Sequence, residues 1–379
     1  MKSRLWRKHI VLLKSRSGNH GGLEKYASRI ANAFIQRGAN VSILTTGDPL
    51  QSEIPVHSMK TVSWPAFIRM EQFDGFVRRW LKKNRADLVF GMDRNRYQTH
   101  LRAGNGVHAA YLKSRLLTEG RAKVFLCKLN PLHRKILELE KTAFENPALQ
   151  KLFTNSHMVR QQVLEHYTVA AEKIQVIHNG VEWSEMEGDF SQWEQGKAAA
   201  LQKFHLSPDL FHFLFIGNGY LRKGLDRLLI GLSRLQRRDF QLSVVGKDNE
   251  MDFYRAKAVQ LGLKDHIHFF GPSREIRLFY QLADALIIPS FYDPFANVTV
   301  EALAMGLFVV SSKHNGGHEI LTSKNGALIE DLLSTDAVIQ ALETSLKHRK
   351  TGPSAQSIRE SVQHLDFSHQ LQILMDSCG

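Results

Sequence analysis

Four charged side chains stand at spacings that would let them bind one ligand. Asp293 and Glu301 have seven residues between them, and Arg222 and Lys223 are adjacent in a glycine-rich turn that reads GNGYLRKG. Carboxylates only accept hydrogen bonds, so an acidic pair suits ligand hydroxyls, whereas a cationic pair suits phosphate oxygens. Each feature alone has a simpler explanation: helix electrostatics for the glutamate, a turn before Pro294 for the aspartate, and an exposed surface for the cations. Together they indicate a site for an anionic ligand that carries hydroxyl groups.

The sequence around the two acids predicts the elements that hold them. The apolar runs from Ala285 to Ile288 and from Leu307 to Val310 are typical of buried parallel strands, with a crossover helix between them. We expect Asn297 to cap this helix at its N-terminus and Gly306 to follow its end. The free N–H groups at such a terminus bind anions at the carboxyl ends of the strands. A phosphate is therefore expected there, with Glu301 on the same helix face as Asn297.

The cationic pair lies on a second strand-to-helix turn. An apolar strand is predicted from Phe211 to Ile216, and a helix from Leu225 to Leu235, with Gly217 opening the turn between them. A dinucleotide fingerprint would need glycine where Arg222 stands, so the turn argues against a nicotinamide cofactor. An NAD-dependent oxidoreductase stays an alternative only through its similar alternation of strands and helices.

The stretch PSFYDPFANVTVEALAMG at 289–306, followed by NGGHEI at 315–320, resembles the signature of the retaining GT-B glycosyltransferases of family 4. Within that family the chain is most similar to the glucosyltransferases of lipopolysaccharide core assembly, and the resemblance covers nearly its whole length. It implies an α/β fold with two doubly wound, Rossmann-like domains that face a central cleft. Residues 1–182 would bind the acceptor and face the membrane, and residues 183–362 would bind a nucleotide sugar.

The resemblance also implies roles for individual residues. The first acid and the loop after it would hold the donor hexose, the second acid the ribose, and the cationic pair the leaving diphosphate. Family members usually have glutamate where Asp293 stands. The implied catalytic residues are Asp293, Lys223, Arg222, Asn105 and His108, and the implied donor-binding residues are Glu301, Phe295, Ala296, Asn297, Val298, Gly21, Gly22 and Gly217.

Two glycine-rich turns in the first half complete the expected site. Gly21 and Gly22 follow the first predicted strand, where a plain strand-to-helix turn is the simpler reading. The second turn, Arg102 to His108, contains Asn105 where related core glucosyltransferases usually have aspartate. This departure puts a charged catalytic group at that position in doubt. His108 is the other candidate, although a lone histidine is more often structural.

Basic residues are concentrated in the first half of the chain. Residues 1–182 hold 30 Lys and Arg against 14 Asp and Glu, a net +16, whereas residues 183–379 hold 20 against 23, a net −3. Such asymmetry favours an anionic partner, and a basic solvated face is the simpler alternative. The segment 111–141 interleaves basic residues with leucines, as amphipathic stretches on anionic bilayers do. No nucleic-acid-reading motif is present, so nucleic acid is not an expected partner.

The expected protein is thus a hexosyltransferase, with UDP-glucose as donor and a lipid-linked anionic core saccharide as acceptor. No metal or other cofactor is expected, because no His, Asp and Glu cluster has ligand spacing. With only two cysteines and no apolar run long enough to span a bilayer, we expect a location on the cytoplasmic face of the inner membrane. A non-catalytic carbohydrate-binding module on a membrane stays an alternative.

Two expectations concern the ends of the second domain. Residues 183–205 are acidic and lack strong periodicity, so we expect the hinge between the domains there. Ser354 to Met375 has a helical pattern, and by the resemblance the segment 363–379 would return to the first domain.

Overall fold

The computed structural model of the protein describes residues 5–15, 22–47 and 53–379. Within-chain contacts divide the protein into two compact units. The first unit comprises Met1–His178 and Gln370–Gly379, and the second comprises Asn179–His369. The division of functions at residues 182 and 362 stays a prediction.

The first unit is built on a parallel sheet. In the described part of the chain this sheet has seven strands, in the order β3-β2-β1-β4-β5-β6-β7. The strands are β1 His9–Leu13, β2 Asn40–Thr46, β3 Val56–Met59, β4 Leu88–Gly91, β5 His100–Arg102, β6 Lys151–Thr154 and β7 Ile174–Val176. The helices are α1 Gly22–Gln36, α2 Ala66–Lys83, α3 His108–Ser114, α4 Arg121–Leu129, α5 Pro131–Phe144 and α6 His157–His166.

The second unit begins with two helices and continues as a parallel sheet. Among the residues described, the sheet has six strands in the order β10-β9-β8-β11-β12-β13. The strands are β8 Phe211–Ile216, β9 Phe240–Val245, β10 Ile267–Gly271, β11 Ala285–Ile288, β12 Phe308–Ser312 and β13 Gly326–Ile329. The helices are α7 Trp183–Ser191, α8 Trp193–Phe204, α9 Tyr220–Lys223, α10 Leu225–Arg234, α11 Met251–Gln260, α12 Ile276–Leu282, α13 Asn297–Ala304, α14 Thr335–Leu346, α15 Gly352–Glu360 and α16 Phe367–Ser377, which runs into the first unit.

The central strands of the second sheet consist mostly of apolar residues. Every residue of β11 and β12 is buried, as is expected for strands covered by helices on both faces. In both sheets the chain moves outward on one side of the first strand and then returns to the other side. This reversal places a switch point between β1 and β4 in one sheet and between β8 and β11 in the other. Loops diverge at such points, and ligands bind in the crevice between them.

Two expectations about the ends of the second unit need correction. The segment 183–205, predicted as the hinge for its lack of strong periodicity, is helical: it folds as α7 and α8, and Met186, Phe190 and Ala200 are buried. So few buried positions give too weak a period to detect in sequence. The role of this segment as a hinge stays a prediction. The helical pattern 354–375 is broken into α15 and α16 by a 3-10 turn over Gln363–Leu365.

Candidate active site

Arg222, Lys223 and Asp293 meet at the switch point of the second sheet. Lys223 Nζ lies 2.7 Å and Arg222 Nη1 3.3 Å from the same oxygen of Asp293, Oδ2. Lys223 and Asp293 are buried, whereas the Arg222 side chain is 38% exposed. Two cations against one carboxylate leave one positive charge in excess. A partly buried positive charge favours the binding of an anion.

The segments that carry these side chains, α9 and the loop after β11, are joined by two hydrogen bonds. The Phe291 N–H donates to the Arg222 carbonyl at 2.8 Å, and Arg222 Nη1 donates to the Tyr292 carbonyl at 2.8 Å. Gly224 has a φ of +75°, and a Cβ at this position would overlap the carbonyl oxygen of Pro289. The glycine at 224 therefore sets how closely the two segments approach.

Gly217 has a steric role beside the cationic pair. It follows β8, and a Cβ there would lie 3.0 Å from Cγ of Lys223. Because glycine has no side chain, position 217 leaves space for the Lys223 side chain to extend to Asp293. Gly217, predicted as a donor-binding residue, lies at this place in the site.

The N-terminus of α13 opens next to the same loop. The sequence-based expectation for Asn297 is wrong in one respect, because Ala296 is the N-cap and Asn297 is the first helical residue. Its side-chain oxygen accepts a hydrogen bond from Asn179 Nδ2 at 2.6 Å instead of capping the helix. Within the described residues, the backbone N–H groups of Asn297 and Val298 have no hydrogen-bond acceptor. Two such donors at a helix N-terminus can bind an anion.

The residues just before α13 contribute through their backbone. Phe295 and Ala296 are both buried in the apolar core of the second unit, and Val298 packs against it from a half-buried position. Their side chains therefore fix the loop. Any contact of Phe295 or Ala296 with a ligand would use main-chain atoms.

Asn315 holds this loop in place and was not identified from the sequence. It is fully buried, and its Oδ1 accepts from the N–H of Ala296 at 3.0 Å and of Gly317 at 3.1 Å. Its Nδ2 donates to Ser311 Oγ at 3.0 Å and to Thr299 Oγ1 at 3.2 Å. One amide thus joins the end of β12 to the start of α13. The feature of the sequence that could have identified Asn315 is its position directly before the glycine pair Gly316-Gly317.

Glu301 lies on α13 and is paired with a tyrosine. The hydroxyl of Tyr280 on α12 donates to Glu301 Oε2 at 2.7 Å. Burial raises the pKa of Glu301, and the Tyr280 hydrogen bond and the charge of Arg277 counter this shift. The second oxygen, Oε1, has no hydrogen-bond partner within the described part of the chain. The acid can therefore still accept a hydrogen bond from a ligand hydroxyl.

The candidates in the first unit have different surroundings. Asn105 is exposed in the turn after β5. His108 is buried, and its Nε2 lies 3.0 Å from Nδ1 of His133. Burial, helped by the charge of Arg94, lowers the pKa of His108 to about 4, so its ring is neutral near pH 7. Gly22 is the first residue of α1, whereas Gly21 lies outside the described residues.

The basic segment 111–141 contains α4 and most of α3 and α5. On α4, Phe125, Leu126 and Leu129 are 62%, 64% and 57% exposed, and the exposed cations Arg121 and Lys123 lie on the same helix. None of the described helices combines the length and the hydropathy that a membrane crossing requires.

The chain is similar over most of its length to known proteins. A family model described as Glycosyltransferase Family 4 matches residues 20–185, and one described as Glycosyl transferases group 1 matches residues 197–364. The chain is 25% identical to lipopolysaccharide glucosyltransferase WaaG of Escherichia coli K12 over 374 residues, which cover 95% of this chain and 94% of that protein.

Solved structures share the fold. The crystal structure of WaaG, a glycosyltransferase involved in lipopolysaccharide biosynthesis, gives a TM-score of 0.76 at 22% identity, with 97% of this chain and 98% of that chain covered. Alr3699/HepE of Anabaena in complex with UDP gives a TM-score of 0.64 at 19% identity, covering 98% and 99%. The α/β GT-B fold class expected from the sequence is thereby confirmed.

Proposed function

Because this chain belongs to family 4 of the glycosyltransferases, we propose that it transfers glucose from UDP-glucose to a lipopolysaccharide core acceptor. The anomeric configuration of the sugar would be retained. A nucleotide-sugar donor agrees with the UDP-bound structural neighbour, and the acceptor class agrees with the similarity to WaaG. The fold and the family are common to transferases of many sugars. The choice of glucose and of a core acceptor is therefore the part that needs the experiment below.

The observation that carries the proposal is the excess positive charge of Arg222 and Lys223 over Asp293 at the switch point. A diphosphate placed there would meet both cations and the two free N–H groups at the start of α13. In the free protein, Asp293 compensates the buried charge of Lys223. When the donor binds, the diphosphate takes over this compensation and Asp293 can turn to the hexose hydroxyls. Glu301 would accept a hydrogen bond from a ribose hydroxyl through Oε1.

In the reaction, the bond between the anomeric carbon and the diphosphate oxygen breaks as the acceptor oxygen bonds to the same face of that carbon. The acceptor proton passes to the departing phosphate oxygen, so UDP leaves with it. Negative charge on the diphosphate grows as the bond breaks, and fixed cations then stabilise the transition state more than the ground state. Lys223 and Arg222 would supply this charge without a metal ion or other cofactor. Asn105 and His108 are the proposed assistants on the acceptor side.

The acceptor is proposed to be met at the cytoplasmic face of the inner membrane. The net +16 of residues 1–182 would attract an anionic lipid surface, and the exposed apolar side chains of α4 would enter its interfacial layer. The anionic membrane and the lipid-linked saccharide would be the macromolecular partners, with no nucleic acid.

A donor and acceptor screen tests the function. The purified chain is incubated with UDP-glucose, UDP-galactose or UDP-N-acetylglucosamine, each with truncated core lipopolysaccharides, and UDP release and product anomer are measured. We expect acceptor-dependent release that is fastest with UDP-glucose, gives an α-linked product and persists in EDTA. Release with another UDP-sugar or only with an unrelated glycolipid would replace the proposed substrates within the same family. Absence of any UDP-sugar binding would contradict the assignment of the site.

A further inference from the structure

We propose that Tyr280 is a positioning residue for the donor, which fixes one oxygen of Glu301 so that the other is presented to the ribose. This inference rests on the proposed function, since it requires Glu301 to bind a ribose hydroxyl. Tyr280 would not touch the substrate. It would act through the carboxylate alone.

The geometry allows one arrangement of the hydrogen bond. A carboxylate is only an acceptor, so the Tyr280 hydroxyl must donate its proton to Oε2 of Glu301 across 2.7 Å. Tyr280 is almost completely buried, and no other acceptor for its hydroxyl is found within the described residues. A carboxylate held at one oxygen can rotate only about that contact. Its remaining oxygen therefore points in a narrow range of directions before the ligand arrives, which lowers the entropy cost of binding.

The tyrosine itself is held on a well-fastened helix. On α12, Gln281 Nε2 donates to the carbonyl of Asp189 on α7 at 2.7 Å, and Arg277 is paired with the Asp189 carboxylate. The buried side-chain nitrogen of Lys350 donates to the carbonyl of Tyr280 itself at 3.3 Å. The α7–α8 segment, which the sequence offered as a hinge, thus anchors the helix that carries Tyr280.

Burial and charge explain why Glu301 needs this partner. Burial raises the pKa of Glu301, whereas the Tyr280 hydroxyl and the Arg277 guanidinium lower it. Burial also raises the pKa of Tyr280, so its hydroxyl keeps the proton that it donates. Loss of the hydroxyl should raise the pKa of Glu301 further.

Other charged groups on the elements packed against α13 are already engaged. Glu185 of α7 lies near Arg277, and Glu187 of α7 is paired with Arg359 of α15. The 3-10 turn Gly316–Ile320 carries His318, whose Nδ1 contacts a backbone carbonyl, and Glu319. Lys350, whose pKa burial lowers to about 7, contacts Tyr280 only at its backbone carbonyl and is present in both proteins. We therefore assign the difference in proton dependence between the wild type and Tyr280→Phe to the hydrogen bond on Glu301.

The direction of the pH effect follows. The ionised carboxylate accepts the ribose hydrogen bond best, so donor affinity falls as the pH drops through the pKa of Glu301. In Tyr280→Phe this fall should begin at a higher pH. A shift of about one pH unit corresponds to ~10-fold weaker binding on the acidic side.

The experiment compares UDP with 2′,3′-dideoxy-UDP, which lacks the ribose hydroxyls. Dissociation constants are measured calorimetrically between about pH 5.5 and 8.5 for the wild type, Tyr280→Phe and the matched control Tyr254→Phe. Tyr254 is also buried in the second unit, on α11. We expect Tyr280→Phe to weaken UDP binding ~10-fold at the acidic end and to move its pH midpoint upward. Binding of the dideoxy analogue should change little, and Tyr254→Phe should behave like the wild type.

The outcomes separate this inference from the proposed function. If the wild type does not bind UDP, the donor assignment fails. If the wild type prefers UDP to its dideoxy analogue but Tyr280→Phe leaves both affinity and midpoint unchanged, the positioning role is wrong. Equal weakening of both ligands without a pH shift would indicate a purely structural tyrosine and would also overturn the inference. Thermal unfolding of each variant shows whether the fold is retained.

Discussion

The two sheets have the same strand order around their switch points, but the residues at those points differ in kind. Between β1 and β4, the N–H and hydroxyl of Ser15 donate to Asp93 Oδ2 at 2.9 and 2.8 Å. Between β8 and β11, the corresponding acid, Asp293, faces two cations. The comparison shows that topology supplies two similar crevices. Side-chain charge makes the second a candidate anion site, whereas the charge of the first half is spread over helices such as α2 and α4.

The largest effect should come from removing the buried cation of the second switch point. Lys223→Ala should lower kcat by about 10²–10³-fold, as loss of one preorganised transition-state contact does, while raising the donor KM much less. Steady-state UDP release measures both constants. Lys324→Ala, which removes an exposed lysine from the same unit, is the control and should have no effect. A rise in KM with kcat unchanged would indicate simple ground-state binding by Lys223.

The basic residues of the first half should contribute to membrane binding and not to reaction with the donor. Replacement of Arg121, Lys123 and Lys128 by glutamate should weaken binding to anionic vesicles by about 100-fold or more, because each cation near such a surface contributes about 1 kcal/mol. Co-sedimentation with anionic and zwitterionic vesicles at low and high salt measures this. Hydrolysis of UDP-sugar in solution should survive the triple change, since the proposed donor site is on the other unit. Vesicle binding that does not depend on salt concentration or lipid charge would contradict the membrane proposal.

An isosteric change of one acid in each unit tests the contrast directly. Glu301→Gln should weaken UDP binding by about 1–3 kcal/mol, because an ionised acceptor for a ribose hydroxyl is lost. Asp93→Asn should leave the UDP dissociation constant unchanged. Calorimetric titration of both variants provides the comparison. An unchanged constant for Glu301→Gln, with the fold intact, would show that the ribose assignment is wrong.

The smallest effect is expected at Asn105. If His108 or the leaving phosphate assists the acceptor, Asn105→Asp should change the transfer rate by less than about twofold, and the rate should show no histidine titration near neutral pH, because the pKa of His108 is lowered to about 4. Initial rates with a core acceptor across pH are the measurement. A gain of about tenfold or more would mean that the family's usual aspartate is still needed at this position.

The sequence predicted the central strands well because most of their residues are apolar. Ala285 to Ile288 and Phe211 to Ile216 have the predicted bounds. It also placed Arg222 and Lys223 after one strand and Asp293 after another, and the carboxyl ends of parallel strands lie at one edge of a sheet. Strand β3 was not predicted, because it has only four residues and none of them is fully buried.

Side-chain partners were beyond the reach of sequence patterns. Neither the Tyr280 hydroxyl on Glu301 nor the bonds of Asn315 to Ala296 and Thr299 follow from periodicity, because these partners are 21, 19 and 16 residues apart in the chain. The capping role of Asn297 was misassigned for a related reason. Its side-chain oxygen accepts a hydrogen bond from Asn179, which is more than a hundred residues away in the chain.

Asn315 also affects the chemical stability of the protein, because it is a possible site of deamidation. It precedes Gly316, and in such a dipeptide the glycine nitrogen readily attacks the side-chain amide and converts asparagine to aspartate. In the folded chain the Gly316 N–H is held by the Asp293 carbonyl at 2.9 Å, and the amide is engaged on both sides. Deamidation would replace the donor to Ser311 and Thr299 with a negative charge beside the start of α13. Packing thus shields this residue from chemical ageing, and a preparation that spends time unfolded is expected to lose donor binding permanently.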